Sequence, residues 1–270
     1  MNLASCQTNW VISICSFPQA QFSYIIHVMF EIKQKTYGKK NDRVVIVLGG
    51  WGTTQGQLWL LGHLLASYKF KAIIFTYSKD ILSIYPDTTS KHIHEVVDQV
   101  GQTITSLPAK QQKNVSLFGM SLGTNIAFLV ANEKKIEKMV INLSGGDFAE
   151  TIWALDKVAP EIKAGFEKEH ITLTKLKRKW STLSPLNNID GLKTKEVLLY
   201  LAKKDEFIPF SHQKNLLDAL QSKTKVDAYL NERHGHLVSS IINLLRFQVY
   251  IRFLQAPTTK RGRKTKVTEV

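Results

Sequence analysis

Cysteine is nearly absent from this chain. Cys6 and Cys15 are the only two in 270 residues, and neither lies in the body of the sequence. Two cysteines build no disulfide framework, and no metal-ligand spacing occurs, so a metal site is not expected. Such thiol usage fits a reducing, cytoplasmic setting. The glycine patterns that cradle nucleotides are missing too: neither GxGxxG nor GxxxxGK[ST] is present, and no cofactor is expected. Long apolar runs are also lacking. The most apolar stretch of the N-terminal region, WVISICSFPQAQFSYIIHVMF (10–30), is interrupted by Pro18, Gln19 and Gln21. Its runs are too short to span a bilayer, so no transmembrane segment is expected. No basic residue precedes them, which argues against a secretory signal. Residues 1–28 read as a poorly ordered extension, with a membrane-associating arm as the alternative, and a domain-like pattern begins at Met29.

Acidic residues are scarce. Against 36 Lys and Arg stand 22 Asp and Glu, a net charge of +14. Residues 260–266, KRGRKTK, hold five of the bases and no acid, and residues 157–180 hold seven bases and three acids. A polyanion partner, nucleic acid or an anionic surface, is one reading. A solvated lysine-rich surface with a disordered basic tail (256–270) is the other, and charge runs are usually of that kind.

What is present alternates between two periodicities. RVVIVLGG (43–50), KAIIFTY (71–77), NVSLFGM (114–120), KMVINLSGG (138–146), KEVLLYLAKKD (195–205) and KVDAYLNE (225–232) predict strands, and EIKQKTYG an edge strand. Helical patterns fall between them, at 57–68, 90–107, 122–135 and 213–222, with a closing helix at 239–254. Strands separated by helices predict an α/β fold, a mostly parallel sheet with helices on both faces. Residues 149–194 break the rhythm with two helical patterns and no clear strand, as an insertion over the carboxyl ends of the strands would.

The chemistry centres on VSLFGMSLGTNIAFLV (115–130). A serine between glycines, where a strand turns into a helix, is carried to the carboxyl edge of the sheet, where ligands bind. Strand and helix then pack so closely that positions 119 and 123 must be small. Serine is a weak nucleophile and needs a base, and the base needs an orienter. Asp205, just past the strand VLLYLA, is the expected orienter, with Glu206 and Asp147 as contenders. Asp205 could alternatively be a turn residue capping the next helix. The base is expected in NERHGHLVSS. His236 is preferred because a glycine precedes it, and His234 is the alternative base. His63, His92 and His94 sit on predicted helices as surface or core residues. Two backbone N–H groups, those of Leu122 and of Trp51 in LGGWGTT, are the expected donors to a developing oxyanion.

These segments resemble the α/β-hydrolase family over residues 40–255. LGGWG resembles an LHGWG-type oxyanion loop with Gly49 in place of the usual histidine. GMSLG resembles the nucleophile elbow, SPLNNIDGLKTKEVLLYLAKKDEFIP the approach to the acid, and Gly235–His236 the histidine loop. The resemblance implies a hydrolase core at 29–148 and 195–255, a short helical cap at 149–194, and acyl transfer from a small-molecule ester through Ser121, His236 and Asp205. A thioesterase or acyltransferase on the same scaffold, and a non-catalytic polyanion-binding protein, are the competing expectations. Trp51, Trp59, Trp153, Phe148 and Met120 are candidates for an acyl pocket or for core. The basic cap would suit an anionic, carrier-linked acyl group.

Overall fold

In a computed structural model, residues 30–155, 159–258 and 266–269 of the protein are described. The chain runs β1 (Ile32–Tyr37), β2 (Arg43–Leu48), α1 (Trp59–Ser67), β3 (Phe70–Tyr77), α2 (Pro86–Ser106), α3 (Ala109–Gln112), β4 (Val115–Met120), α4 (Leu122–Glu133) and β5 (Lys138–Asn142). There follow α5 (Phe148–Trp153), α6 (Pro160–Lys168), α7 (Leu173–Lys179), α8 (Pro185–Asn188), β6 (Glu196–Ala202), α9 (Phe210–Lys223), β7 (Lys225–Asn231), α10 (His236–Leu245), α11 (Phe247–Gln255) and β8 (Lys266–Glu269). Eight strands form one sheet in the order β1-β3-β2-β4-β5-β6-β7-β8. Among the described residues, only the β1–β3 pair is antiparallel.

The β-branched runs become central strands because both of their faces are covered. In β2, Val44, Ile46 and Leu48 point to a core shared with α2 and α4, while Val45 and Val47 point to a second core shared with α1 and α11. The strand β2 has β3 on one side and β4 on the other, and the connecting helices α1 and α2 cover opposite faces. The carboxyl ends of β2 and β4 therefore flank a topological switch point, where a crevice opens in sheets of this kind.

Three elements differ from their sequence-based expectation. The expected closing helix at 239–254 is two helices, α10 and α11, meeting at 58° around Arg246. The bend lets Tyr250, Ile251 and Leu254 enter the second core while α10 stays at the rim of the sheet. Continuous apolar periodicity conceals it, because neither Gly nor Pro stands at the break. In the expected basic tail, residues 266–269 form β8, which pairs in parallel with β7 and covers the edge that β7 would otherwise leave unpaired. The rest of KRGRKTK and residues 1–28 lie outside the described residues. Finally, the segment between β5 and β6, expected to lie over the carboxyl ends of the strands, sends Phe148, Ile152, Phe166, Leu176 and Trp180 into the first core. The Trp180 indole N–H donates to the carbonyl of Pro86 at 3.0 Å, tying this segment to α2.

Candidate active site

Ser121 sits between β4 and α4 with φ +48° and ψ −119°, a conformation that L-residues rarely adopt. The surroundings hold it there. Its N–H donates to Asn142 O at 3.0 Å, and its carbonyl accepts from the Thr124 N–H at 2.9 Å and the Thr124 hydroxyl at 2.6 Å. The two flanking glycines are small for steric reasons. A Cβ at Gly119 would lie 2.8 Å from Thr124 Cα, and one at Gly123 would lie 2.2 Å from Leu48 O. Both are far inside contact distance, so the close packing expected of a GxSxG turn is present here. Leu122 is the first residue of α4, so its N–H has no acceptor within the helix.

Opposite this turn lies the loop after β2. Gly50 approaches the elbow so closely that a Cβ there would be 3.3 Å from Met120 O and 3.4 Å from Ser121 Cβ. The carbonyl of Gly49, where the resembled loop carries a histidine, accepts a hydrogen bond from the Tyr77 hydroxyl. Burial of that phenol pushes its pKa well above the usual tyrosine value, so it remains a donor. The Trp51 indole N–H donates to Lys79 O at 2.8 Å, which fixes the loop beyond the glycines.

The carboxylate and imidazole arrive from two further strand ends. Asp205 follows β6. Its Oδ1 accepts from the N–H groups of Phe207 (2.9 Å) and Ile208 (2.8 Å), and its Oδ2 lies 2.8 Å from His236 Nδ1. Gln213, fully buried on α9, donates to Asp205 Oδ2 at 3.3 Å and to the carbonyls of Ala202 and Ile208. The histidine loop is shaped by Asn231, whose Oδ1 accepts from the N–H groups of Arg233 and His234 at 3.0 and 3.1 Å. Glu206 accepts from the His236 N–H at 2.8 Å. A Cβ at Gly235 would lie 2.1 Å from that carboxylate, so glycine stands before His236 to admit Glu206 rather than to permit an unusual φ. The His236 ring packs beside Phe207 at 4.9 Å.

Ser121 and His236 line one cavity of about 210 Å³. Its remaining wall is largely apolar and includes Trp51, Leu82, Phe148, Ile152, Leu155 and Leu237. Between Ser121 and His236 no hydrogen bond is formed. Ligand-free sites commonly show such contacts long, and they tighten when substrate enters. His234 is exposed and takes no part in the cavity wall. Asp147 caps α5, accepting from the Glu150 N–H at 3.0 Å.

Of the five aromatic and sulfur side chains named for an acyl pocket, Trp51 and Phe148 reach the cavity. Trp153 stacks on Phe166, Met120 is core, and Trp59 is exposed. Among the basic residues at 175–179, Lys177 pairs with Glu150, and Lys179 pairs with Asp87 at 2.6 Å.

Sequence reasoning did not single out Thr124, Tyr77, Asn231 or Gln213. Gln213 alone left a trace, because it shares a helical stripe with Leu216, Leu217 and Leu220, where a polar side chain implies a buried partner.

No family model and no curated protein matches this sequence. Solved structures do match its shape. One is acetyl xylan esterase 1 from Thermoanaerobacterium sp., with a TM-score of 0.62 and 15% identity over 84% of this chain and 80% of that one. Another is a 2,6-dihydroxy-pseudo-oxynicotine hydrolase, with a TM-score of 0.61 and 14% identity over 87% and 68%. A third is an esterase from Pyrococcus furiosus, with a TM-score of 0.58 and 14% identity over 83% and 89%. The eight-stranded sheet, its strand order and these neighbours together establish that the chain adopts the α/β-hydrolase fold.

Proposed function

We propose that this protein is a serine hydrolase that cleaves carboxylic esters through an acyl-enzyme intermediate. The observation that carries the reading is the 2.8 Å contact between Asp205 and His236 Nδ1 in the wall of a cavity that also contains Ser121. With Nδ1 held by the carboxylate, Nε2 is the ring nitrogen left to act as base. His236 takes the Ser121 proton as Oγ forms a bond to the ester carbonyl carbon and the carbonyl π pair moves onto oxygen. The N–H groups of Leu122 and Trp51 receive that oxyanion, and the positive end of α4 favours it. Collapse breaks the bond from the acyl carbon to the alkoxy oxygen, which leaves with the proton that His236 took from Ser121. Water, deprotonated by the same imidazole, then releases the acid and restores Ser121.

The mostly apolar cavity wall suits an acyl group, and proteins of the same fold include esterases and other hydrolases. Labelling with a fluorophosphonate followed by peptide mapping tests the assignment. Modification at Ser121 is expected, and an unlabelled protein with native circular dichroism would overturn it.

A further inference from the structure

Helix α10 is amphipathic the wrong way round. Its buried positions are polar: His236, Ser239 and Asn243. Asn243 donates to Asn142 Oδ1 at 2.8 Å, and the Ser239 hydroxyl donates to His234 O at 3.0 Å. Its outward positions are apolar. Leu237, Val238, Ile241 and Leu245 are 65%, 47%, 50% and 66% exposed, and they form a single stripe at helical spacing. A helix at the rim of a water-soluble core normally shows the reverse. A contiguous apolar face in water marks a contact with something apolar.

Two observations identify what that something is. The first is charge. From Arg233 to Thr268 the sequence holds eight Lys and Arg and no Asp or Glu. Arg233, exposed, precedes the apolar stripe, and Arg246, half-buried, follows it; of the two acids at the N-terminal end, Glu232 is paired with Lys203 and Glu206 is taken up by the His236 N–H. Apolar stripes framed by cations suit an anionic lipid surface, where the side chains enter the acyl boundary and the cations meet the headgroups. The second is continuity. Leu237 belongs both to the exposed stripe and to the wall of the cavity that holds Ser121. Trp59 and Leu60, also exposed, begin α1 just beyond the Gly50–Thr53 loop that lines the same cavity. The geometry describes lying on a bilayer rather than crossing it. No single helix among the described residues is long and apolar enough to cross, and the α10–α11 pair is bent by 58° with Tyr250, Ile251 and Leu254 buried in the core.

We propose that the outer face of α10 docks on anionic lipid bilayers and that, given the serine-hydrolase reading above, the esters cleaved at Ser121 are lipids drawn from that surface. The full-length Ser121→Ala protein is sedimented with phosphatidylcholine–phosphatidylglycerol vesicles and with pure phosphatidylcholine vesicles, so that binding is read without turnover. Binding to the anionic vesicles is expected, and adding Ile241→Glu and Leu245→Glu should weaken it at least about tenfold. In the active protein the same pair should slow hydrolysis of a long-chain ester embedded in vesicles to a similar degree. Turnover of a water-soluble short-chain ester should stay unchanged, since neither residue lines the cavity. The milder Ile241→Ser with Leu245→Ser, checked by circular dichroism, should give the same pattern more weakly.

Equal vesicle binding with and without the substitutions overturns the docking face. So does a concentration-dependent dimer that the substitutions dissociate in the absence of any vesicle binding. Soluble-ester turnover without vesicle binding defeats the docking proposal alone. Vesicle binding without fluorophosphonate labelling defeats the lipid-substrate half and the hydrolase reading together, and leaves the docking face standing.

Discussion

Asp205 Oδ2 lies 2.8 Å from His236 Nδ1, and the same carboxylate is held by three other donors, the N–H groups of Phe207 and Ile208 and the Gln213 amide. A carboxylate fixed from several sides cannot swing away, so it sets both the orientation and the tautomer of the imidazole. That arrangement is costly to bury unless every oxygen is satisfied, and here both are.

Asp205→Asn keeps an oxygen for the two backbone donors and should fold normally. It presents an amide to Nδ1, which favours the wrong tautomer. Turnover of a short-chain ester is expected to fall by about 10⁴-fold, as a carboxylate-to-amide change does in a well-studied triad. A loss smaller than about tenfold would remove Asp205 from the proposed mechanism.

Glu206 touches the backbone of His236 and not its ring. Glu206→Ala should let the histidine loop shift and lower kcat by about tenfold or more, with KM little changed, since small misplacements of a catalytic group are expensive. Glu206→Gln retains an acceptor for the His236 N–H and should recover most of kcat. Equal losses in the two variants would point to the charge rather than to the hydrogen bond.

Ser121→Ala and Ser121→Gly both delete the hydroxyl and should both abolish turnover. Their stabilities should differ. At φ +48° and ψ −119° alanine retains the backbone strain and glycine relieves it, so the glycine variant should be more stable by about 1 kcal/mol. Urea midpoints measured side by side decide this, and an alanine variant at least as stable would show that position 121 stores no strain.

Gly123→Ala places a methyl group against the carbonyl oxygen of Leu48, which belongs to a central strand and cannot yield cheaply. Destabilisation of about 3 kcal/mol is expected. A change under about 1 kcal/mol in chemical denaturation would mean that β2 and α4 separate more easily than their packing suggests.

Lys138 is buried on β5. Its ammonium donates to the carbonyls of Phe253 and Ala256 at 2.5 and 2.6 Å and lies 3.4 Å from Glu196. Burial holds its pKa below the ordinary 10.5, against the opposing pull of Glu196. Between the lowered value and 10.5 the unfolded chain binds the extra proton, so this group makes stability rise with pH across that window. Lys138→Met should cost about 3 kcal/mol at neutral pH, by removing the donor from the Phe253 and Ala256 carbonyls and one of two lysine partners, the other being Lys225, from Glu196. It should also flatten the rise in stability on the alkaline side. An unchanged pH slope in urea unfolding would assign that rise to other groups.

Much of this architecture is legible in short windows of sequence. Both β2 and β3 announce themselves because a run rich in β-branched residues has few conformations other than an extended one, and burial on both faces removes the polar alternation. The elbow is legible because the steric demand on Gly119 comes from Thr124 in the same turn, whereas that on Gly123 comes from Leu48 and Gly49 at the end of β2 and is marked in sequence only by the GxSxG spacing. The single bend at Arg246 is not, since an apolar stripe that feeds one core and one that faces outward have the same period.

Sequence alone determined the alternating α/β order, the serine turn and the candidacy of Asp205 and of two histidines, because each depends on contacts within a few residues of itself. Tertiary structure alone decided that His236 and not His234 enters the cavity wall, through Glu206 and Asn231 gripping the loop from 30 and 3 residues away. It alone decided that α10 turns its polar side inward. Periodicity reports that a helix has two faces, but only the packing of distant segments chooses which of them meets water.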